Sequence, residues 1–311
     1  MEAIRSQIAE PLASNVRFLE CMDGIPSPAG PFNAGLAAAT ADYVGIMGSD
    51  DTLDPDSMRQ WLAIARANNS AAVLAPQRHA SGAKVRTPPV RVGRTSKLDP
   101  VKDRLSYRTA PLGLIQTSEI HRLGLKFSNG YKSGEDQEFS ARLYFGGGRI
   151  DYAKGAGCYV VGADASDRVT SESRPIGEDF RFATDLVTTA WFLNLPERSR
   201  SAIVTKLIRV HVFAAAGSRS PADWTAEERL ALSTVATTLI EAATAATRPL
   251  SIAEARLLAA IVDPGISTLE LARRASSRKK FGRPATMIAS RPGSQFAVEG
   301  PLRFMVSSAL L

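Results

Sequence analysis

The sequence predicts an α/β fold, with a mostly parallel sheet in residues 1–172 and an α-helical domain in residues 173–311. Short apolar segments alternate with helical segments up to about residue 161, as in a layered α/β domain. Residues 43–47 are apolar and bounded by polar residues, which is typical of a strand buried on both faces of a parallel sheet. After about residue 175 the strand signals end, and amphipathic Ala- and Leu-rich stretches follow, separated by Pro196, Pro221 and Pro264.

The composition is that of an ordinary globular protein. Of the 311 residues, 44% are hydrophobic and 22% are charged, which excludes disordered and fibrous proteins. Cys21 and Cys158 are too few for a disulfide framework and lack zinc-ligand spacing, so a reducing cytosol is the expected compartment. The first residues lack a secretory signal, and the most apolar stretch, residues 230–247, contains Glu241 and predicts a buried helix rather than a membrane span.

Positive charge is concentrated in two segments. The net charge is +7, and residues 78–98 and 271–283 each hold six basic residues and no acidic one. Such clusters attract phosphates on nucleic acids, lipids or anionic substrates, and the alternative is a solvated surface. Without a motif that reads nucleic acid, we expect no nucleic-acid partner. An anionic or lipid-linked acceptor and a peripheral membrane contact remain open.

Periodicity and punctuation place the individual elements. Strands are predicted at residues 16–20, 43–47, 71–75, 112–116, 149–153 and 158–161. Helices are predicted at residues 33–41, 54–68, 118–123 and 135–145, and then at 177–195, 197–216, 225–247, 251–262 and 266–278. The Pro- and Gly-rich residues 23–31 and the basic stretch 76–100 are expected to be irregular.

Two carboxylates follow directly on the predicted strand 43–47. Asp50 and Asp51 would lie on the turn at its carboxyl end, the edge at which open parallel sheets bind ligands. Carboxylate oxygens there suit Mg²⁺ or Mn²⁺, which in turn can hold a diphosphate. Taken alone, the pair is also compatible with a simple polar turn.

A second acidic group begins the predicted helix 135–145. Glu135 and Asp136 follow Gly134, and anions in a first helical turn are stabilised by the helix dipole. A carboxylate on an element separate from the metal ligands could accept a proton from a substrate on the opposite side. Taken alone, a solvated acidic helix start explains the same residues.

Together these segments resemble the family 2 glycosyltransferases. The resemblance rests on Asn33-Ala34-Gly35-Leu36, on the strand ending in Ser49-Asp50-Asp51 with Asp54-Pro55 after it, and on Gly134-Glu135-Asp136. It covers roughly residues 10–172 and implies a GT-A-like, Rossmann-like core. Gly48 stands where the family's motif often has its first Asp, and Phe32 where an Arg often precedes the Asn.

The resemblance implies a transfer of sugar from a nucleoside-diphosphate sugar to the hydroxyl of a glycan, lipid-linked or other acceptor, with inversion. By it, Asp50 and Asp51 bind Mg²⁺ or Mn²⁺, and with Asn33 and Arg168 they bind the donor.

On the acceptor side, the resemblance makes Asp136 the general base, supported by Glu135. Residues 108–113 and 122–127 resemble the acceptor-side segment.

Family members begin with a strand–helix–strand unit that binds the nucleotide, and too few residues precede Glu10 to form one. We therefore expect a chain that lacks those strands, and a catalytically inactive or truncated binding module is the alternative function. His79, His121 and His211 fall on unrelated elements and predict no metal triad.

Overall fold

The structure is a computed structural model that describes residues 14–162 and 174–310. In the first half the elements are α1 (Ala29–Ala38), β1 (Tyr43–Val44), β2 (Thr52–Leu53), α2 (Ser57–Asn68), β3 (Ala72–Leu74), β4 (Gln77–His79), β5 (Gly113–Gln116), α3 (Thr117–Leu123), α4 (Asp136–Phe145), β6 (Ile150–Tyr152) and β7 (Tyr159–Val161). The α/β class is confirmed, and the strands from 71, 112, 149 and 158 onward lie close to their predicted positions.

The strands form two sheets of mixed direction. The larger has the order β1-β5-β3-β6, and the smaller has the order β2-β7-β4. Strand β5 runs antiparallel to both β1 and β3, whereas the pairs β3–β6 and β4–β7 are parallel. The expectation of a mostly parallel sheet is therefore wrong in its strand directions, because an apolar strand has the same pattern in either direction once both faces are covered.

Helices cover both faces of the larger sheet. On β3, Ala72 and Leu74 pack with Phe139 of α4, whereas Val73 packs on the opposite side with Trp61 of α2. This alternation follows from the two-residue period of a strand. The sheet is thus a buried layer. Strand β1 and the turn after it lie at one edge of the sheet, and α4 packs on one of its faces.

Two predictions are wrong at the N-terminal end, the strand 16–20 and the start of the helix 33–41. Residues 16–20 form no strand, and Val16 and Leu19 are exposed. Helix α1 begins at Ala29 rather than at residue 33, because Pro31 falls in the first turn, where its missing N–H costs no helical hydrogen bond. In α2 the buried stripe contains Trp61, while Met58 is 46% exposed.

The second half is helical, as predicted. Its elements are α5 (Ile176–Asp179), α6 (Arg181–Thr188), α7 (Ala190–Leu193), α8 (Glu197–Lys206), a π-helical segment (Leu207–Val212), α9 (Phe213–Ser218), α10 (Ala226–Ala242), α11 (Ile252–Val262), α12 (Thr268–Arg278), α13 (Pro284–Met287) and α14 (Pro301–Ala309). Helices α13 and α14 were not predicted. The apolar core of this half includes Ala141 of α4, so the helical half packs directly against the sheet half. Within the described ranges no helix is long and apolar enough to cross a bilayer.

Candidate active site

The turn after β1 is held by hydrogen bonds to β7. The Asp51 carboxylate accepts from the Tyr159 hydroxyl and from the Gly162 N–H at 2.8 Å, and the Gly48 N–H donates to the Tyr159 hydroxyl at 2.9 Å. A side chain at position 48 would place its Cβ 2.5 Å from a carboxylate oxygen of Asp51. A larger residue at this position would have to displace the bound Asp51 carboxylate.

Both neighbouring carboxylates are engaged by the chain. The two Asp51 oxygens accept hydrogen bonds, and Asp50, which is partly exposed on the same turn as Asp51, interacts with other protein groups. Within the described ranges, no three His, Cys, Asp or Glu side chains are grouped to hold a metal ion. Mg²⁺ in phosphate-binding sites commonly uses one or two carboxylates and takes its other ligands from phosphates and water. This region offers that kind of partial ligand set.

Asn33 lies on α1 and is engaged with the segment before α4. Its amide nitrogen donates to the Phe127 carbonyl at 2.9 Å, and its amide oxygen accepts from the Phe127 N–H at 2.9 Å. Both ends of the amide thus join α1 to residue 127, whose ring stacks on Phe139 of α4 at 4.5 Å. A donor contact by Asn33 stays a prediction, and Arg168 lies outside the described residues.

Gly134 sets the direction in which the chain enters α4. Its φ is +86°, a conformation that favours glycine, and a Cβ there would collide with the ring of Phe182 on α6. The two residues after it, Glu135 and Asp136, are only partly exposed. The glycine of the Gly-Glu-Asp pattern thus has a structural reason, because a side chain at position 134 would prevent α6 from packing this close to the acidic helix start.

Asp136 is a carboxylate in a desolvated pocket with few polar partners. Burial raises its pKa, and four contributions oppose that rise: the charge of Lys206, a hydrogen bond from the Gln137 side chain at 3.0 Å, the Ala110 N–H and the residue's own backbone N–H. Burial, together with the negative charge of Asp136, raises the pKa of Glu135 to about 7. Desolvated carboxyls with shifted pKa values are characteristic of groups that transfer protons near neutral pH.

Lys206 and His211 complete this site, and the sequence did not predict them. Lys206 is 3% exposed, and its ammonium donates to the Gln137 side-chain oxygen and lies 2.9 Å from Nε2 of His211. Burial lowers the Lys206 pKa to about 7, against the opposing effect of Asp136, and burial lowers the His211 pKa well below its ordinary value. A continuous polar chain therefore runs from Asp136 through Gln137 to Lys206 and His211.

The π-helical turn explains how Lys206 and His211 meet. Residues five apart on an α-helix project about 140° apart, so their side chains point in different directions. The segment Leu207–Val212 is π-helical, and the wider turn brings residues 206 and 211 onto one side. Single π-helical turns occur frequently at functional sites.

A cavity of about 510 Å³ opens in front of this group. Its lining includes Glu135 and Asp136 from α4, His211 from the π-helical segment, and Thr109 from the segment predicted to face the acceptor. A second cavity of about 700 Å³ shares Ser133 and His211 with the first. The candidate base therefore faces a cavity lined by residues of both the sheet half and the helical half, with the second cavity next to it.

Known proteins resemble this chain in part of its sequence and in its fold. The chain matches glycosyl transferase family 2 over residues 6–118, a segment that contains Asn33, Asp50 and Asp51 and ends before Asp136. It is 27% identical over 128 residues to the poly(ribitol-phosphate) β-N-acetylglucosaminyltransferase TarP of Staphylococcus aureus strain N315, and the match covers 40% of this chain and 38% of TarP. The chain thus spans less than half of this curated relative.

Solved structures share the fold over most of the chain. S. aureus TarS residues 1–349 in complex with UDP-GlcNAc superposes with a TM-score of 0.70 at 18% identity, covering 88% of this chain and 78% of that one. The UDP complex of the same TarS fragment gives a TM-score of 0.60 at 18% identity, over 83% and 72% of the two chains. These likenesses establish the GT-A-like fold, and residues 6–118 of the chain match the model of glycosyl transferase family 2.

Proposed function

We propose that the protein transfers a sugar from a nucleoside-diphosphate sugar to an acceptor hydroxyl by direct displacement, with Asp136 as general base. The observation that carries the proposal is the placement of Asp136: it lies in a desolvated pocket, beside a buried cation, at the wall of a 510 Å³ cavity. A base of this kind needs a raised pKa and access to substrate, and the family match supplies the reaction class.

In this reaction Asp136 removes the acceptor's hydroxyl proton while the oxygen bonds to the anomeric carbon. The bond between that carbon and the donor's diphosphate breaks in the same step, so the configuration inverts. Gln137 and the Ala110 N–H hold the carboxylate in place, and Lys206 stabilises its ionised form. A raised pKa brings the base closer to neutral pH, where it accepts a proton more readily.

A divalent cation, Mg²⁺ or Mn²⁺, would be held by Asp50 together with diphosphate oxygens of the donor. When bound, such an ion neutralises the charge that develops on the leaving diphosphate. We assign this role first to Asp50, because Asp50 matches the last Asp of the family's metal-binding motif, and Asp51 stands beside it. Asp51 then fixes the shape of the turn.

UDP-N-acetylglucosamine is the donor that we propose to test first, since it is bound in the TarS complex. TarP acts on poly(ribitol-phosphate), and we propose a hydroxyl-bearing polymer as the acceptor here.

Calorimetric titration with UDP, with GDP for comparison, tests the donor site. We expect binding that requires Mn²⁺ and that is lost in Asp50→Ala. Asp56→Asn is the control, because Asp56 is an exposed carboxylate whose ion pair is with the exposed Arg59, and Asn tolerates its positive φ. Equal UDP affinity in Asp50→Ala and the wild type would refute the assignment of Asp50. Absence of nucleotide binding in every condition would favour an inactive module.

A further inference from the structure

Helix α14 lies on the surface between the two basic segments. Its inner side is fixed by Arg104, a buried side chain whose guanidinium donates to the Val298 carbonyl at 3.0 Å, the Pro89 carbonyl at 2.6 Å and the Ser307 hydroxyl at 3.1 Å. The rings of Phe304 and Tyr107 also meet at 5.0 Å. The helix is therefore firmly attached, and its orientation is determined.

The outward side of α14 is apolar. At 100° per residue, Leu302, Met305, Val306 and Ala309 project within about one quadrant, opposite the buried Ser307 side. Val306 is 52% exposed, and Leu302 and Met305 are half-buried. A helix packed on a protein ordinarily turns its polar side to water, so this arrangement is reversed.

Two exposed phenylalanines lie on opposite sides of the helix. Phe281 borders a groove with Pro301 and Met305, and Phe296 borders a groove with Leu302 and Val306. Their exposed fractions are 76% and 73%. Val92 is 62% exposed and lines the second groove. The apolar side of α14, the two phenylalanines and Val92 together form one surface, here called the α14 surface.

Basic side chains surround the α14 surface. Arg94, in the turn that carries Val92, and Arg303 come from one side, and Lys280 and Arg283, which flank Phe281, come from the other. In the described part of the chain, none of these four has a carboxylate within ion-pair distance. By contrast, Arg91 pairs with Asp103 and Arg273 with Glu270, so other members of the same basic segments are neutralised.

We infer that the α14 surface docks the protein onto an anionic membrane, with α14 lying in the interface and Phe281 and Phe296 entering the acyl boundary. Apolar side chains surrounded by unpaired cations match a bilayer with negatively charged head groups. A second copy of this chain is a poorer partner, because a symmetric contact would bring two cationic rims together without counter-charges. The inference is independent of the proposed sugar transfer.

Co-sedimentation with vesicles tests this surface. We expect the wild type to bind vesicles containing about one third phosphatidylglycerol, to bind phosphatidylcholine vesicles at least tenfold more weakly, and to be released by high salt. The triple variant Phe281→Ser, Phe296→Ser, Val306→Ser should bind the anionic vesicles at least tenfold more weakly. The variant Lys280→Ser, Arg303→Ser should lose the preference for anionic lipid.

Met22→Ser and Leu230→Ser are matched controls, since both remove exposed apolar side chains elsewhere, and both should bind as the wild type does. Wild-type affinity in the triple variant would overturn the inference. So would equal binding to neutral and anionic vesicles, or self-association in solution that the triple variant abolishes while no vesicle is bound.

Discussion

Replacing Lys206 by Met should move the acid limb of the pH–activity profile to higher pH. Lys206 is buried, and its charge opposes the desolvation that raises the pKa of Asp136. Met is of similar length and apolar, so the variant removes the charge with little change in volume. Without the charge of Lys206, desolvation raises the pKa of Asp136 further. A larger fraction of Asp136 is then protonated at neutral pH.

The size of the shift follows from the arrangement of the polar chain. Two unit charges separated by one amide side chain, roughly 6 Å, interact by about 3 kcal/mol at an effective dielectric constant of about 20. This energy corresponds to about two pKa units. Since Asp136 is partly exposed to the cavity, solvent screening reduces the expected shift to about one unit.

The assay is kcat/KM for donor turnover between pH 5 and 9, with UDP affinity and thermal unfolding measured as checks on folding. Activity of Lys206→Met should return to near the wild-type level at high pH, where Asp136 is ionised again. Lys206→Gln keeps a hydrogen-bond donor for Gln137 without the charge, and it should shift the limb as Met does. An acid limb that stays in place in both folded variants would refute the electrostatic reasoning.

Two further substitutions test how the site is held. Gly134→Ala should destabilise the fold by about 1–3 kcal/mol, because the Cβ meets the Phe182 ring at a positive φ; an unchanged denaturant midpoint would contradict this. Tyr159→Phe removes the hydroxyl bound to Asp51 and Gly48, and should cost about 1–3 kcal/mol and weaken Mn²⁺-dependent UDP binding. Retention of full UDP affinity in a destabilised Tyr159→Phe would show that the turn's hydrogen bonds do not shape the donor site.

The sequence indicated those parts of the site that depend on local chemistry. The turn with Asp50 and Asp51 follows an apolar strand, and Asp136 follows a glycine at a helix start, so both could be located from neighbouring residues. Lys206 and His211 gave no such signal. They are about seventy residues further along the chain, and a π-helical turn and the packing of the two halves bring them to Gln137.

The basic segments of the sequence did not show which of their side chains lack an ion-pair partner in the fold. Residues 78–98 form a basic run in the sequence, yet Arg78 pairs with Asp54 and Arg91 with Asp103, both outside that run. Strand direction could not be predicted either, because the side-chain pattern of a strand is the same whether its neighbour is parallel or antiparallel. The exposed apolar side of α14 could be identified only once its buried contacts with Arg104 were visible.

Turnover of UDP-N-acetylglucosamine by the wild type and by Asp136→Asn tests the central claim most directly. Asn keeps the size of the side chain and cannot accept the hydroxyl proton, so UDP affinity should be unchanged. General-base catalysis contributes typically 10²–10⁴-fold, and the loss in kcat for transfer to a hydroxyl acceptor should fall in that range. Transfer by Asp136→Asn at the wild-type rate, with the variant folded and binding UDP, would show that Asp136 is not the base.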